Sequence, residues 1–218
     1  MLINIGNRLF LRDELNGVTV YDLCNDTYVF FENLYVGEFK NLNDEEKLQV
    51  LKNNLNKIST NINLTRPFRI NWLVEERCNL NCIYCYADNK LYMRETKEEI
   101  LQVIDAIKRL NVINVGITGG ECTINPYLDT IIDELGKNSI IIIDTNGTLS
   151  NLKKIIPNLK KCNSLVRISI DSIDENINKL VRPCKNIDIN TFASINDNID
   201  CLIQNKINML VHTVITKY

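Results

Sequence analysis

Hydrophobic and polar positions alternate over short segments along the first part of the chain. This alternation, interrupted by Asn-Gly and Asn-Asp turns, predicts a small β-meander with strands at 8–15, 18–23 and 27–31. After the meander, apolar side chains recur at helical spacing: Leu48, Leu51, Leu55 and Ile58. We therefore expect a small α+β module over residues 1–64, in which these four side chains form the buried face of a helix.

From residue 65 onward the pattern becomes strand then helix, repeated. Apolar segments predict five strands: 68–75, 114–118, 139–144, 165–170 and 209–215. The segments between them carry helix signals, such as Thr96 as an N-cap with Glu99 three residues later. Asn125-Pro126 predicts the start of another helix, and a helix over 191–204 should turn Ile203 inward. Strands that alternate with helices predict an α/β fold with a parallel sheet, either open or curled into a barrel. In such folds the chemistry takes place at the carboxyl ends of the strands.

The composition narrows the function classes. The 218 residues carry a net charge of −2 and are 45% hydrophobic, near the globular average. Because there is no basic run and no long apolar segment, we expect no nucleic acid partner and no membrane. Eight cysteines without a secretion signal indicate a reducing, cytoplasmic compartment, in which thiols serve metals or chemistry rather than disulfides. A single histidine leaves little scope for histidine-based sites.

The strongest motif is a cysteine triplet in the loop after the first of the five strands. Cys78, Cys82 and Cys85 lie within eight residues, so a compact loop can direct three sulfurs to one point. Three thiolates suit three corners of a cubane iron–sulfur cluster and leave its fourth iron open. The alternatives are a zinc site, with Cys122 as a fourth ligand, and unligated thiols.

The motif Cys78-x3-Cys82-x-Tyr84-Cys85 resembles the signature of the radical S-adenosylmethionine (radical SAM) enzymes, and the resemblance covers about residues 67–217. It implies a partial (β/α) barrel in which the three cysteines hold a 4Fe-4S cluster, with SAM bound at the unique iron. Such enzymes cleave SAM reductively to a 5′-deoxyadenosyl radical, which abstracts hydrogen from the substrate. The electron comes from a donor such as flavodoxin or ferredoxin. By the same resemblance, the backbone of Tyr84 meets the adenine.

The second strand ends in Gly119-Gly120-Glu121, which is similar to the GGE motif of the same family. Two glycines let the backbone approach a ligand, and a carboxylate can pair with a cation. The resemblance implies that Glu121 binds the amino group of SAM, although Gly-Gly can also mark a simple turn. Where the family usually has proline next, this chain has Cys122. We interpret Cys122 as a small buried residue; a spare ligand and a hydrogen donor to a substrate radical are the alternatives.

Further candidates follow the later strands. Asn146 resembles a residue beside the SAM site, but Asn-Gly is also a turn. Ser169 and Asp171 share one face by alternation and suit ribose hydroxyls, or they cap the next helix. Arg182 resembles an arginine that pairs with the SAM carboxylate, or it is a solvated helix-end residue. Ile215 resembles an apolar residue packed beside adenine, and it is a core residue under any interpretation.

The remaining chemistry-bearing residues show no functional spacing. His212 lies among apolar residues of the last strand, and we interpret it as structural. We expect the other cysteines to be ordinary buried thiols: Cys24, Cys162, Cys184 and Cys201. Many peptide-modifying members of the family carry a C-terminal cysteine-rich domain, called SPASM or twitch, and nothing of that kind is expected in this sequence.

The order of strands and helix in residues 1–64 resembles the winged-helix-like element that binds leader peptides in ribosomal peptide maturation. In that element a peptide adds as a strand to the small sheet. A generic N-terminal cap fits the same element order nearly as well.

We therefore expect a radical SAM enzyme that acts on a ribosomally made precursor peptide. The alternatives are a small-molecule or other protein substrate, and a truncated, non-catalytic module that keeps a cluster or a peptide site. The family's barrel resembles six βα units, whereas only five strands are predicted over 65–218. The open edge after the fifth strand implies a longer reading frame, a partner that covers the edge, or a remnant with impaired activity.

Overall fold

The architecture comes from a computed structural model that describes residues 2–62, 64, 66–86, 95–185 and 190–215. The chain divides into two compact units, Met1–Phe68 and Arg69–Tyr218. The division falls just beyond the position at which the hydrophobic pattern changes.

The N-terminal unit contains a four-stranded antiparallel sheet of β1 (Leu2–Ile5), β2 (Leu9–Glu14), β3 (Gly17–Asp22) and β4 (Thr27–Glu32). The strands lie in the order in which they occur in the chain. The prediction missed β1, because its four residues are too few to show a periodic pattern.

Helix α1 (Asp44–Asn53) follows and begins with a capping box. The Asn43 side chain accepts a hydrogen bond from the Glu46 amide at 3.0 Å, and the Glu46 carboxylate accepts one from the Asn43 amide at 2.8 Å. The first core of the chain lies on one face of the sheet and includes buried Leu11, Val18 and Leu51.

The predicted buried face of this helix is wrong at three of its four positions. Leu51 is buried, but Leu48, Leu55 and Ile58 are exposed. For Leu55 and Ile58 the reason is that α1 ends at Asn53 and the chain continues as a 3-10 turn, so these residues do not share its helical face. Ile58 instead forms an isolated antiparallel bridge to Phe31 of β4.

The second unit alternates strands and helices, as predicted. Its elements are β5 (Arg69–Glu75), α2 (Lys97–Leu110), β6 (Asn114–Gly119), α3 (Leu128–Leu135), β7 (Ile140–Thr145), α4 (Asn151–Leu159), β8 (Ser164–Ser169), α5 (Glu175–Val181), α6 (Thr191–Gln204) and β9 (Asn208–His212). All four strand pairings are parallel, in the order β5-β6-β7-β8-β9. The α/β prediction with a five-stranded parallel sheet is therefore confirmed.

The second core lies between this sheet and its helices. Ile140 to Ile143 of β7 are completely buried, as expected for a strand covered on both faces. Helix α2 places Ile100, Ile104 and Ile107 inward, at the spacing that the sequence predicts. Consecutive βα units thus bring the carboxyl ends of all five strands to one edge of the sheet.

Several boundaries differ from prediction. Helix α3 begins at Leu128 rather than at Asn125-Pro126, because the Asn125 side chain accepts the Tyr127 amide at 2.8 Å and forms a turn there. In α6, Ile203 is exposed although it was predicted to face inward. Asn198 is buried instead, and its amide group donates to the Gly147 carbonyl at 2.8 Å.

Strand β9 ends at His212, three residues before the predicted end, and it forms one edge of the sheet. This edge of the sheet is only partly covered by the rest of the protein, since Val211 in the strand and Val214 just after it are exposed. Within the described part of the chain, no helix is both long and apolar enough to cross a membrane.

An ion pair is buried on the second face of the N-terminal sheet. The side chains of Arg12 and Glu14 are only 4% and 0% exposed, and Arg12 Nε donates to Glu14 Oε1 at 2.7 Å. The Thr19 hydroxyl also donates to Glu14, and the Pro67 carbonyl accepts from Arg12. The pair neutralises two charges that water cannot reach.

We expect Glu14→Gln to reduce the free energy of unfolding by about 3–5 kcal/mol, because it leaves the Arg12 charge buried without a counter-charge. Denaturant unfolding of the full chain measures the change. Arg8→Ala, which breaks the largely exposed pair of Arg8 with Asp22, should cost only a small fraction of that amount. An equal loss in both variants would contradict the argument.

Candidate active site

A cavity of about 490 Å³ opens at the carboxyl ends of the parallel strands. Its wall includes residues that follow or end each of the five strands: Cys78, Gly119, Asn146, Ser169 and His212. This volume is within the range typical of small-molecule sites. The topology thus brings together side chains that are up to about 130 residues apart in the sequence.

The cysteine loop, residues 76–86, forms one side of the cavity, and Cys78, Cys82 and Cys85 all line it. Burial raises the pKa of the Cys78 thiol, and the nearby Glu121 and Cys85 raise it further. Burial also raises the pKa of Cys82, whereas Arg182 opposes that rise. The thiols are therefore close enough to interact electrostatically, and binding a metal centre there requires their deprotonation.

The chain that follows α5 holds the cysteine loop in place. The Asn81 amide donates to the Pro183 carbonyl at 2.8 Å, and the Ile83 amide donates to the Val181 carbonyl at 3.0 Å. Leu80 forms an antiparallel bridge to Cys184. Cys184 thus lies beside the loop, although its thiol donates to the Asn79 carbonyl and it does not line the cavity.

Gly119 and Gly120 line the cavity, and their size is required by a close backbone approach. A Cβ atom on Gly119 would lie 1.9 Å from the Glu75 carbonyl oxygen, and one on Gly120 would lie 2.4 Å from that of Glu76. Gly119 also has a φ of 153°. The two glycines therefore admit the start of the cysteine loop, a constraint that the sequence motif alone does not reveal.

Glu121 is 1% exposed, and both oxygens of its carboxylate accept hydrogen bonds from within the protein. One oxygen accepts from the Thr123 hydroxyl at 2.6 Å and the Thr145 hydroxyl at 2.7 Å, and the other accepts from the Asn146 amide at 2.7 Å. Glu121 is not among the residues that line the cavity. In this arrangement it joins the ends of β6 and β7.

Asn146 connects the end of β7 to the cysteine loop. Its amide group donates to the Asn79 side chain at 2.9 Å and contacts the Cys78 sulfur at 3.7 Å. Its side-chain oxygen accepts from the Thr148 hydroxyl at 2.6 Å. Asn79, Thr145 and Thr148 were not singled out from the sequence, because common polar residues in loops carry no periodic or spacing signal.

Ser169 and Arg182 line the cavity, and Asp171 lies behind them. Arg182 is buried and donates to the Ser169 carbonyl, while its Nε makes no hydrogen bond within the described chain. The hydroxyl of Tyr84, which also lines the cavity, donates to the Asp171 carboxylate. Burial and this hydrogen bond raise the pKa of Tyr84.

The residues after β9 are placed differently from the sequence interpretation. Val214 lines the cavity, whereas Ile215 is 94% exposed and does not. His212 was interpreted as a structural residue in mid-strand, but it ends the strand, is exposed and lines the cavity. Its imidazole makes no hydrogen bond to any residue that the structure describes.

Cys122 is completely buried in the core of the second unit, and its thiol donates to the Asp144 carbonyl at 3.2 Å. Burial raises its pKa well above that of an ordinary thiol. It does not line the cavity, so the interpretation as a small buried residue fits its position. Among the described residues, no three His, Cys, Asp or Glu side chains converge closely enough to hold a single metal ion.

The residues around the cavity fit an iron–sulfur cluster with SAM. Three thiols on one loop match the donor set of a cluster with one open iron, whereas a structural zinc ion requires a fourth protein ligand. The buried Arg182 guanidinium, whose Nε makes no hydrogen bond within the described chain, suits a carboxylate on a ligand. Cys78, Cys82, Cys85 and Arg182 are the residues that would hold these groups.

The chain is similar in sequence to a known protein family and to several known proteins. The Radical SAM superfamily matches residues 72–216, more than half of the chain. An uncharacterised protein of Methanocaldococcus jannaschii is 39% identical over 120 residues, which are 52% of this chain and 41% of the relative. A GTP 3′,8-cyclase of Clostridium acetobutylicum is 32% identical over 154 residues, 66% of this chain and 46% of the relative. The chain thus spans less than half the length of these curated relatives.

Solved structures share the fold. Native anSMEcpe with bound AdoMet matches 68% of this chain and 43% of its own, at a TM-score of 0.58 and 19% identity. Streptococcus suis SuiB bound to precursor peptide SuiA matches 97% of this chain and 63% of its own, at a TM-score of 0.57 and 17% identity. These neighbours confirm the partial-barrel fold, and the matched family implies a 4Fe-4S cluster and SAM.

We expect Gly120→Ala to displace the cysteine loop, because the new Cβ would meet the carbonyl oxygens of Glu76 and Arg77 at 2.4 and 2.6 Å. The free energy of unfolding should fall by about 1–3 kcal/mol. Iron and sulfide per chain, measured after anaerobic reconstitution, should fall at least twofold. Gly37→Ala is the matched control, since no atom lies within 4 Å of its new Cβ. Normal cluster content in the Gly120 variant would contradict this account.

Proposed function

This chain belongs to the radical SAM superfamily, and we propose that it cleaves SAM reductively to start hydrogen abstraction from a ribosomally made precursor peptide. The observation that carries the proposal is the cavity that Cys78, Cys82 and Cys85 share with Gly119, Gly120 and Arg182. The chain spans only part of its relatives, so activity and substrate are proposals for the protein as a whole.

Each part of the cavity has a distinct role in this proposal. When bound through the three cysteines, the cluster would supply the electron for SAM cleavage. A donor such as flavodoxin or ferredoxin would then reduce the cluster again. Arg182 offers a buried positive charge to the SAM carboxylate. The backbone at Gly119 and Gly120 faces the same cavity, so that its carbonyl groups can accept from the amino group. Glu121 fixes that backbone through its hydrogen bonds to Thr145 and Asn146.

The N-terminal unit supports a peptide as the substrate. It makes up nearly a third of the chain, so the match of SuiB over almost the whole chain must include most of it. That neighbour is bound to a precursor peptide. By analogy, we propose that the N-terminal unit of this chain binds the leader part of a precursor.

An exposed strand edge gives this peptide a place to bind. β4 is an edge strand, and residues 58–59 already pair with its later part, where Ile58 bridges Phe31. The Ser59 amide donates to the Phe30 carbonyl at 3.0 Å, so Phe30 turns its backbone groups outward. Outward-facing residues alternate along an antiparallel strand, so Tyr28 also turns its N–H and C=O outward. Exposed apolar side chains surround this edge: Tyr28, Val29, Leu55 and Ile58. The part of the edge at Tyr28, which Ile58 and Ser59 do not cover among the described residues, suits an extended peptide that adds as a fifth strand.

A small-molecule substrate is the second candidate. Several curated relatives are named GTP 3′,8-cyclase, and their similarity to this chain covers about half to two thirds of it. On this alternative, the cavity accepts a nucleotide beside SAM, and the N-terminal unit serves only as a cap.

We expect the chain, reconstituted anaerobically with iron and sulfide and reduced with dithionite, to convert SAM to 5′-deoxyadenosine. Cys82→Ala should abolish this activity, because two cysteines cannot hold the cluster. Cys162→Ala, whose half-buried thiol lies outside the cavity, is the matched control and should retain activity. A wild-type chain that yields no 5′-deoxyadenosine would favour a non-catalytic module instead.

We expect Tyr28→Pro to weaken binding of a fluorescently labelled candidate precursor peptide about tenfold relative to Tyr28→Ala. Proline removes the outward-facing N–H of an edge strand without disturbing its ladder with β3, while the alanine variant accounts for the lost ring. Fluorescence anisotropy measures both affinities. Equal binding by the two variants would exclude strand addition at this edge, and consumption of GTP with 5′-deoxyadenosine formation would favour the small-molecule alternative.

A further inference from the structure

Three segments that are distant in the sequence meet at the Asp171 carboxylate. One oxygen accepts the hydroxyl of Tyr84 from the cysteine loop, and the other accepts the Val214 amide at 2.9 Å, from the segment after β9. Arg182, at the end of α5, lies with Nε 4.0 Å from the oxygen that Tyr84 contacts. Asp171 is therefore a common anchor for three parts of the cavity wall.

Burial makes this anchor strong. The side chains of Asp171 and Arg182 are each only 3% exposed, so each charge depends on the other for compensation. A hydrogen bond to a carboxylate in such surroundings is charge-assisted and stronger than a neutral one. Removal of the Tyr84 hydroxyl should therefore loosen the cysteine loop without removing any atom from the core.

Asp171 itself does not line the cavity, whereas its three partners do: Tyr84, Arg182 and Val214. Both of its oxygens are already occupied by hydrogen bonds within the protein. The sequence interpretation placed Asp171 against the ribose of SAM, which would require its carboxylate to reach the cavity wall. The geometry points instead to an indirect role.

We propose that Asp171 is a positioning residue, which acts on SAM through Tyr84, Arg182 and Val214 rather than by contact with the ribose. It holds the cysteine loop against the carboxyl ends of β8 and β9 and so sets the shape of the cavity. This inference rests on the proposed function, since it assumes that the cavity binds SAM.

The test is a double-mutant cycle on the cluster-loaded full chain, with the Kd for SAM measured by equilibrium dialysis. We expect Tyr84→Phe to weaken binding about tenfold in the wild-type background and less than twofold in the Asp171→Ala background, because the acceptor of that hydrogen bond is absent there. Tyr127→Phe is the matched control, since its half-buried hydroxyl lies outside the cavity. It should bind SAM as the wild type does.

Two further readouts separate positioning from general destabilisation. Tyr84→Phe should keep normal iron content, and its KM for SAM should rise while kcat for 5′-deoxyadenosine formation stays within about twofold of wild type. A tenfold effect of Tyr84→Phe that persists in the Asp171→Ala background would overturn the proposal. Wild-type affinity in Tyr84→Phe would overturn it equally.

A failure of the proposed function is distinguishable from a failure of this inference. A wild-type chain with normal cluster content that does not bind SAM would refute the function. The anchor itself is tested on the cofactor-free chain by amide hydrogen exchange. Asp171→Ala should speed exchange at Val214 at least tenfold, because its acceptor is removed; unchanged exchange would overturn the anchor.

Discussion

The site depends on the close approach of two backbone segments, the end of β6 and the start of the cysteine loop. The Gly120 amide donates to the Glu75 carbonyl at 2.7 Å, and the Glu121 amide donates to the Arg77 carbonyl at 2.9 Å. Only glycine at 119 and 120 permits this distance. Because the loop begins at this contact, the position of its three cysteines relative to the sheet depends on it.

Buried polar side chains extend that constraint across the sheet. Glu121 ties the end of β6 to Thr145 and Asn146, and Asn146 in turn contacts the loop at Cys78. On the far side, Asp171 joins the loop to the ends of β8 and β9. The two carboxylates that the sequence motifs assign to the ligand, Glu121 and Asp171, make their hydrogen bonds within the protein, and neither lines the cavity. The wall itself combines thiols and glycine backbone with aromatic, polar and apolar side chains.

Predictions from the sequence succeeded where a single local signal decides the structure. The uninterrupted apolar run of β7 and the capping box of α2 both lie where their patterns indicate. They failed where a side chain competes with the helix. Asn125 forms a turn that delays α3, and the early end of α1 leaves Leu55 and Ile58 exposed. In α6, polar Asn198 takes the buried place because two loop carbonyls need a donor there.

The class of protein follows from local features of the chain, which can be read from the sequence alone. These features are the cysteine spacing, the Gly-Gly-Glu motif and the alternation of strands and helices. Only the tertiary structure decided which polar groups face the cavity. It turns Glu121 and Asp171 inward to protein partners, and it places His212 on the cavity wall. The physical reason is that a buried carboxylate takes whichever donors surround it, and those donors come from strands and loops that are distant in the chain.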